Sequence, residues 1–437
     1  MFWIEFLIVL ACIFIGARLG GVGLGVMGGV GLAILVFGFG LQPTSAPIDV
    51  MLMILSVVTA AGALQASGGM EYLVYLAEKA LRKNPKWITY IAPLVTYVFT
   101  FCAGTGHVAY SVLPVIAEVS RESGVRPERP MSIAVIASQQ AITASPISAA
   151  TVALLALLTD FKISLLDILM ICIPSTLIAC MLAAFVASKM GKELNQDPEY
   201  LKRLEAGLAP IRKDKKEYNA TKGSKLSVIF FLLAAVLVVL LGSFEKLRPG
   251  WMIDGVFTRM TMPAAIEIVM LSIAALIIIF CKPKVEEIVS GSVFKAGAAA
   301  VVAIFGIAWM GDTFFQGNMQ LISGSIADLV TAAPWLFALA LFALSILLYS
   351  QAATVRTLMP LGVTLGINPA LLIAMFPAVN GYFFIPNYPT VVAAINFDRT
   401  GTTRIGKYIL NHSFMIPGLI ATIGAVGIGI LLSTIIL

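Results

Sequence analysis

Gly104-Thr105-Gly106-His107-Val108-Ala109-Tyr110-Ser111-Val112-Leu113-Pro114 aligns without gaps on Ser350-Gln351-Ala352-Ala353-Thr354-Val355-Arg356-Thr357-Leu358-Met359-Pro360. After each proline comes a Gly-x-x-Pro, Gly124 to Pro127 and Gly366 to Pro369. Each half then has a proline-containing break among small residues. These are Ala144-Ser145-Pro146-Ile147-Ser148-Ala149-Ala150, and Pro386-Asn387-Tyr388-Pro389-Thr390 leading to Ala393-Ala394. Spacing is kept, with 22 residues from Gly124 to Pro146 and 23 from Gly366 to Pro389. Three matched features in the same order mark an internal repeat.

The repeat lies in a chain of 437 residues that is 59% hydrophobic and 12% charged. Its mean hydropathy is +0.97. Soluble domains are closer to half apolar and a quarter charged. The composition excludes a soluble globular protein, a disordered chain and a disulfide scaffold, and predicts a polytopic helical membrane protein. Net charge is +6, but the cations sit between apolar blocks rather than in one basic domain, so nucleic acid is rejected as a partner. The five cysteines lack metal spacing and two histidines are too few for a histidine-based metal site, so no metal or cofactor is expected.

Apolar stretches of about 20 residues span a bilayer. Candidates are 2–17, 20–40, 48–67, 163–188, 226–242, 263–281, 291–311 and 406–436. The stretches 86–159 and 333–397 are interrupted by Gly, Pro, Ser, Thr and Asn. We read each as a re-entrant hairpin followed by a broken helix. The fold class is then all-α, with two inverted repeats of five crossings and an elevator-type architecture. The first repeat is 1–188, with scaffold helices 1–67, hairpin 86–120 and broken helix 130–159. A basic cytoplasmic linker follows at 189–225. The second repeat is 226–437, with scaffold helices 226–311, hairpin 333–362 and broken helix 369–397. The segment 69–83 is expected to be a short helix along the inner surface. Under this topology 23 of the 29 Lys and Arg residues lie inside and 4 outside, as the positive-inside rule requires. Both termini are placed outside, with no cleaved signal peptide.

Irregular backbone at membrane depth is tolerated only where protein buries it or a wet cavity meets it. The two tips and two breaks are therefore where binding is expected. A break exposes a half-helix N-terminus, whose free N–H groups attract a carboxylate. Ser145-Pro146 reads as an N-cap with proline at the first helical position, and Asn387 as a similar cap. Candidate ligands are Gly104, Thr105, Gly106, His107, Thr143, Ser145, Pro146, Ser148, Ser350, Gln351, Thr354, Arg356, Asn380, Asn387, Tyr388 and Thr390. Arg356 can hold a carboxylate bidentately; His107 can donate a hydrogen bond. Acids are expected only toward segment ends, with Asp312 among them, which favours a small anion over a cation. The glycine run from Gly16 to Gly31 predicts close helix packing, including a dimer interface. No Ser/His, paired-Asp or zinc-protease constellation appears at membrane depth, so no enzymatic activity is expected.

Across nearly its whole length the sequence resembles the Dcu family of bacterial anaerobic C4-dicarboxylate transporters. The carrying segments include Gly16-Ala17-Arg18, Leu64-Gln65-Ala66-Ser67-Gly68-Gly69, Ala103-Gly104-Thr105-Gly106-His107, Arg126-Pro127-Glu128-Arg129-Pro130, Ala144-Ser145-Pro146, Ser350-Gln351-Ala352-Ala353 and Gly401-Thr402-Thr403. The resemblance implies inner-membrane exchange of fumarate, malate or aspartate against succinate in fumarate respiration. It also implies kinship with inverted-repeat carriers whose transport domain slides past a dimeric scaffold. Small dicarboxylate anions, the lipid bilayer and a second copy are the expected partners, and the linker is a possible contact for a sensor kinase. The alternatives are a cation-coupled dicarboxylate symporter and a cation/proton antiporter of related architecture.

Overall fold

The computed structural model describes residues 1–19, 22–106, 109–208, 219–253, 255–318, 333, 335–348, 350–386, 388–408 and 410–437. The described residues form 19 α-helices. In the first half these are α1 (Phe2–Leu19), α2 (Gly23–Ala33), α3 (Ile48–Ala66), α4 (Gly69–Lys83), α5 (Ile88–Ala103), α6 (Ala109–Glu122), α7 (Glu128–Ala144), α8 (Ala149–Leu158) and α9 (Leu165–Ala187). Helix α10 (Pro198–Glu205) lies in the middle of the chain. The second half holds α11 (Lys222–Ser243), α12 (Met262–Cys281), α13 (Val285–Ser290), α14 (Ser292–Gly317), α15 (Trp335–Leu348), α16 (Gln351–Thr364), α17 (Pro369–Met375), α18 (Pro389–Phe397) and α19 (Met415–Ile436). Six helical segments among the described residues are long and apolar enough to cross a membrane. The protein is therefore a polytopic helical membrane protein.

The all-helical class holds, with one small addition and two corrections. Among the described residues an antiparallel hairpin, β1 (Gly250–Ile253) on β2 (Val256–Arg259), is added to the helices. Its aromatic and β-branched residues flank Asp254-Gly255, a hairpin signal that sequence reading passed over. The gap in the second broken segment begins at Phe376 rather than near 385, because Pro377 ends the α-helix and the chain continues as 3-10 turns over Phe376–Val379 and Gly381–Phe383. The final helix starts at Met415, well after 406, because residues 398–403 leave the helix to form a polar turn around Asp398.

Helix α4 spans the residues expected, bent 72° from α3. Helices α1 and α2 pack together, as do α11 and α12; α2 packs on α14, and α12 on α3. Farther along, α6 packs on α18 and α16 on α8, while α9 and α19 lie side by side. Gly25, Gly28 and Gly31 of the glycine run serve contacts within this chain. A Cβ on Gly306 of α14 would overlap the Gly25 carbonyl of α2, and one on Gly28 would strike the Gly306–Ile307 backbone.

The central linker is partly folded and docked. Asp197 caps α10 by accepting from the N–H groups of Glu199 and Tyr200 (3.0 and 3.1 Å). Buried Arg126 donates to Asp197 (2.5 Å), to Glu128 (2.6 Å) and to the Lys192 carbonyl (3.3 Å). The other Glu128 oxygen accepts from Ser413 (2.7 Å), and Thr402 Oγ1 accepts from the Glu128 N–H (3.2 Å). One carboxylate thus ties together the linker and loops of both halves.

Candidate functional site

The first break is built around a missing donor. In an unbroken helix the Ile142 carbonyl would accept from residue 146, but Pro146 has no N–H. The hydroxyls of Ser148 (2.6 Å) and Thr151 (3.1 Å) supply the missing bonds. Ser148 also caps α8, accepting from the Thr151 N–H at 3.1 Å. The N-cap is therefore Ser148, not Ser145, which ends α7 and donates to the Phe101 carbonyl at 2.7 Å. Thr143 donates to the Gln140 carbonyl (2.8 Å). The break's hydroxyls spend their protons closing the backbone.

The first tip rests on this break. Gly104 ends α5 at φ +68, a conformation a side chain disfavours, and an added Cβ would lie 3.0 Å from the Ile147 carbonyl oxygen. Gly104, Thr105 and Ile147 line a cavity of about 110 Å³ whose opposite wall is Met53, Val57 and Ala61 of α3 with Val293 and Gly297 of α14. Gly106 is buried against the Gln139 carboxamide, whose Cδ would stand 2.9 Å from an added Cβ.

At the second tip, Ser350 caps α16, accepting from the Ala353 N–H at 3.2 Å, and Thr354 donates to the Ser350 carbonyl at 2.8 Å. Gln351 reaches both broken segments. Its Nε2 donates to Gln139 Oε1 (2.9 Å) and Asn380 Oδ1 (3.1 Å). Asn380 Nδ2 donates to Gln140 Oε1 (3.1 Å), and Gln140 Nε2 to Thr422 Oγ1 (3.1 Å). Gln139, Gln140 and Asn380 are 1%, 0% and 1% exposed. This carboxamide ladder brings both tips and both broken segments to one place. Gln139 and Gln140 stand among the neutral polar groups near the first gap in the sequence but not among the ligands expected from it; two adjacent amides within an apolar helix were the available signal.

Of the remaining expected residues, Tyr388 lies at the start of α18, its ring 4.7 Å from that of Tyr382. Buried Thr390 Oγ1 meets no hydrogen-bond partner among the described residues. Arg356 lies on α16, which packs on α14, and its charge acts on half-buried Asp312 of α14. Asp312 lies in the last two turns of α14, toward the segment end as expected, and the α14–α16 contact brings it under the influence of the Arg356 charge. His107 and Asn387 lie outside the described residues. Farther along α6 and just past the end of α18, Glu118, Arg121, Asp398 and Arg399 help line a cavity of about 310 Å³.

The site joins neutral donors and capped helix N-termini, chemistry suited to a small anion. The profile of a family described as anaerobic C4-dicarboxylate membrane transporter matches residues 1–437. The C4-dicarboxylate transporter DcuA of Wolinella succinogenes is 45% identical over 433 residues, covering 99% of each chain. DcuA of Escherichia coli strain K12 is 44% identical over 438 residues, covering 100% of each. The anaerobic C4-dicarboxylate transporter DcuB of Escherichia coli O6:H1 is 42% identical, covering 96% of each. Among solved structures, Neisseria gonorrhoeae MtrF, described with a class of antimetabolite efflux pumps, superposes with a TM-score of 0.56 at 14% identity. That match covers 92% of this chain and 84% of the other, and speaks to the fold alone.

Proposed function

Because this chain belongs to the anaerobic C4-dicarboxylate membrane transporter family, we propose that it exchanges C4-dicarboxylates across the bacterial inner membrane by alternating access. Fumarate, malate or aspartate would enter against succinate. The observation that carries the placement of the site is the carboxamide ladder, where two tips and two broken segments converge on buried neutral donors. A dianion is held there by dipoles and N–H groups rather than by a dedicated cation.

The carrier is built from two inverted repeats, 1–188 and 226–437. Paired contacts support this: α1 with α2 and α11 with α12, α2 with α14 and α12 with α3, α6 with α18 and α16 with α8. Exchanging each helix for its counterpart in the other half maps every pair onto its mate. The early helices α1–α3, with α11, α12 and α14, act as a scaffold and dimerise. The hairpins, broken helices, α9 and α19 form the moving body. Both termini face the periplasm, and the basic linker faces the cytoplasm, where it is the surface to test against a sensor kinase.

Proteoliposomes loaded with unlabelled succinate, with empty ones alongside, test the proposal by uptake of labelled fumarate. Rapid uptake only into loaded vesicles is the expected result. Uptake into empty vesicles that follows a sodium or proton gradient would replace exchange by symport. Absence of uptake by folded protein in either would refute dicarboxylate transport.

A further inference from the structure

The carboxamide ladder has one donor too many. Gln351 Nε2 uses both hydrogens, on Gln139 and Asn380. Asn380 Nδ2 uses both, on Gln140 and the Pro377 carbonyl. Gln140 Nε2 reaches Thr422. Gln139 accepts through Oε1, but its Nε2 is buried and meets no acceptor among the described residues. A buried amide left without an acceptor keeps its full desolvation penalty, so such a group is an exception that calls for an occupant.

The orientation of that amide is fixed. If the carboxamide were flipped, Gln351 Nε2 would face another N–H₂ instead of an oxygen. The donor is therefore held toward Gly106, where the added Cβ of any larger residue would collide with it. It stands between the first tip and the first residue of α16, at the junction of the two hairpins.

We infer that Gln139 Nε2 is a substrate ligand, donating to a carboxylate oxygen of the transported dianion when the first tip moves off it. This rests on the dicarboxylate reading above and adds a residue to its site. Gln351 acts behind it as a positioning residue, holding the Gln139 oxygen so that the amide hydrogens point outward. Thr422, at the far end of the ladder, serves packing between α7 and α19.

The test is succinate and fumarate binding to purified protein by calorimetry, with melting temperature recorded for each variant. Gln139→Met removes the donor at similar size. Gln139→Glu keeps an acceptor for Gln351, loses the N–H and decides the matter if the methionine variant fails to fold. Thr422→Val breaks the ladder at its far end only. Loss of roughly ten- to hundredfold in affinity is expected for the Gln139 variants, as for a hydrogen bond to a charged group, with Thr422→Val near wild type. Wild-type affinity in the Gln139 variants would overturn the inference and leave a buried water as the occupant. Equal losses in Thr422→Val would overturn it in favour of ladder integrity. A wild-type protein that binds no dicarboxylate would remove the functional reading and this inference together.

Discussion

Replacing Arg126 by methionine isolates the clasp between the membrane body and the linker. Arg126 is 3% exposed, and its guanidinium neutralises two carboxylates, Glu128 at 2.6 Å and Asp197 at 2.5 Å. Methionine fills similar space but leaves both carboxylates buried without their cation. Each lost charge-assisted hydrogen bond is worth about 1.5–3 kcal/mol, and removing one partner of a buried ion pair costs about 3–5 kcal/mol. The two losses share one side chain, so they do not add in full, and we expect about 3–5 kcal/mol in local stability. Limited trypsin digestion in detergent reads this directly, because Lys202 and Arg203 lie on α10, which Asp197 caps. Cleavage there should be strongly accelerated in Arg126→Met. Arg126→Lys, which keeps the charge without the fork, should fall between. Unchanged cleavage and melting in Arg126→Met would refute the clasp as the element that fixes the linker.

The same clasp has a pH signature. Burial raises the pKa of the Asp197 carboxyl, but the hydrogen bond from Arg126 and those from the Tyr200 and Glu199 N–H groups outweigh it and hold it below its ordinary 3.8. Its contribution is therefore fully present above about pH 4 and lost as pH falls through the depressed native value; acid-resistant proteolysis of the linker should show protection down to that range and none below, whereas Asp197→Asn should remove the step. At the α2–α14 crossing, Gly306→Ala inserts a methyl where the Gly25 carbonyl sits, so the thermal melt should fall with a cost of about 1–3 kcal/mol, and an unchanged melt would contradict that approach of the backbones.

How much of this was legible beforehand differs by element. The apolar runs, the helix at 69–83 and the helix ends around the two matched segments follow from residue type and local spacing, and the structure has α4 at Gly69–Lys83, α5 ending at Ala103 and α16 starting at Gln351. Local chemistry misled at the breaks. Ser145-Pro146 has the form of a helix start, yet the Ile142 carbonyl, which Pro146 cannot serve, is met by the Ser148 and Thr151 hydroxyls, which moves the cap three residues on. That the Arg356 charge acts on Asp312, 44 positions away along the chain, follows from the α14–α16 contact and is not visible in the sequence.

The sequence by itself determined that this is a helical membrane protein with two interrupted segments, because bilayer thickness and backbone hydrogen bonding leave few other forms for such a composition. Whole-length resemblance supplied the family. Only the tertiary structure decided which polar groups meet. Gln139 and Gln351 are 212 residues apart, Gln140 and Asn380 240, and Gln140 and Thr422 282. No periodicity or spacing encodes such pairs. They arise when α7, α16 and α19 pack around one point, where burial makes every unpaired amide costly and so selects which partners face one another.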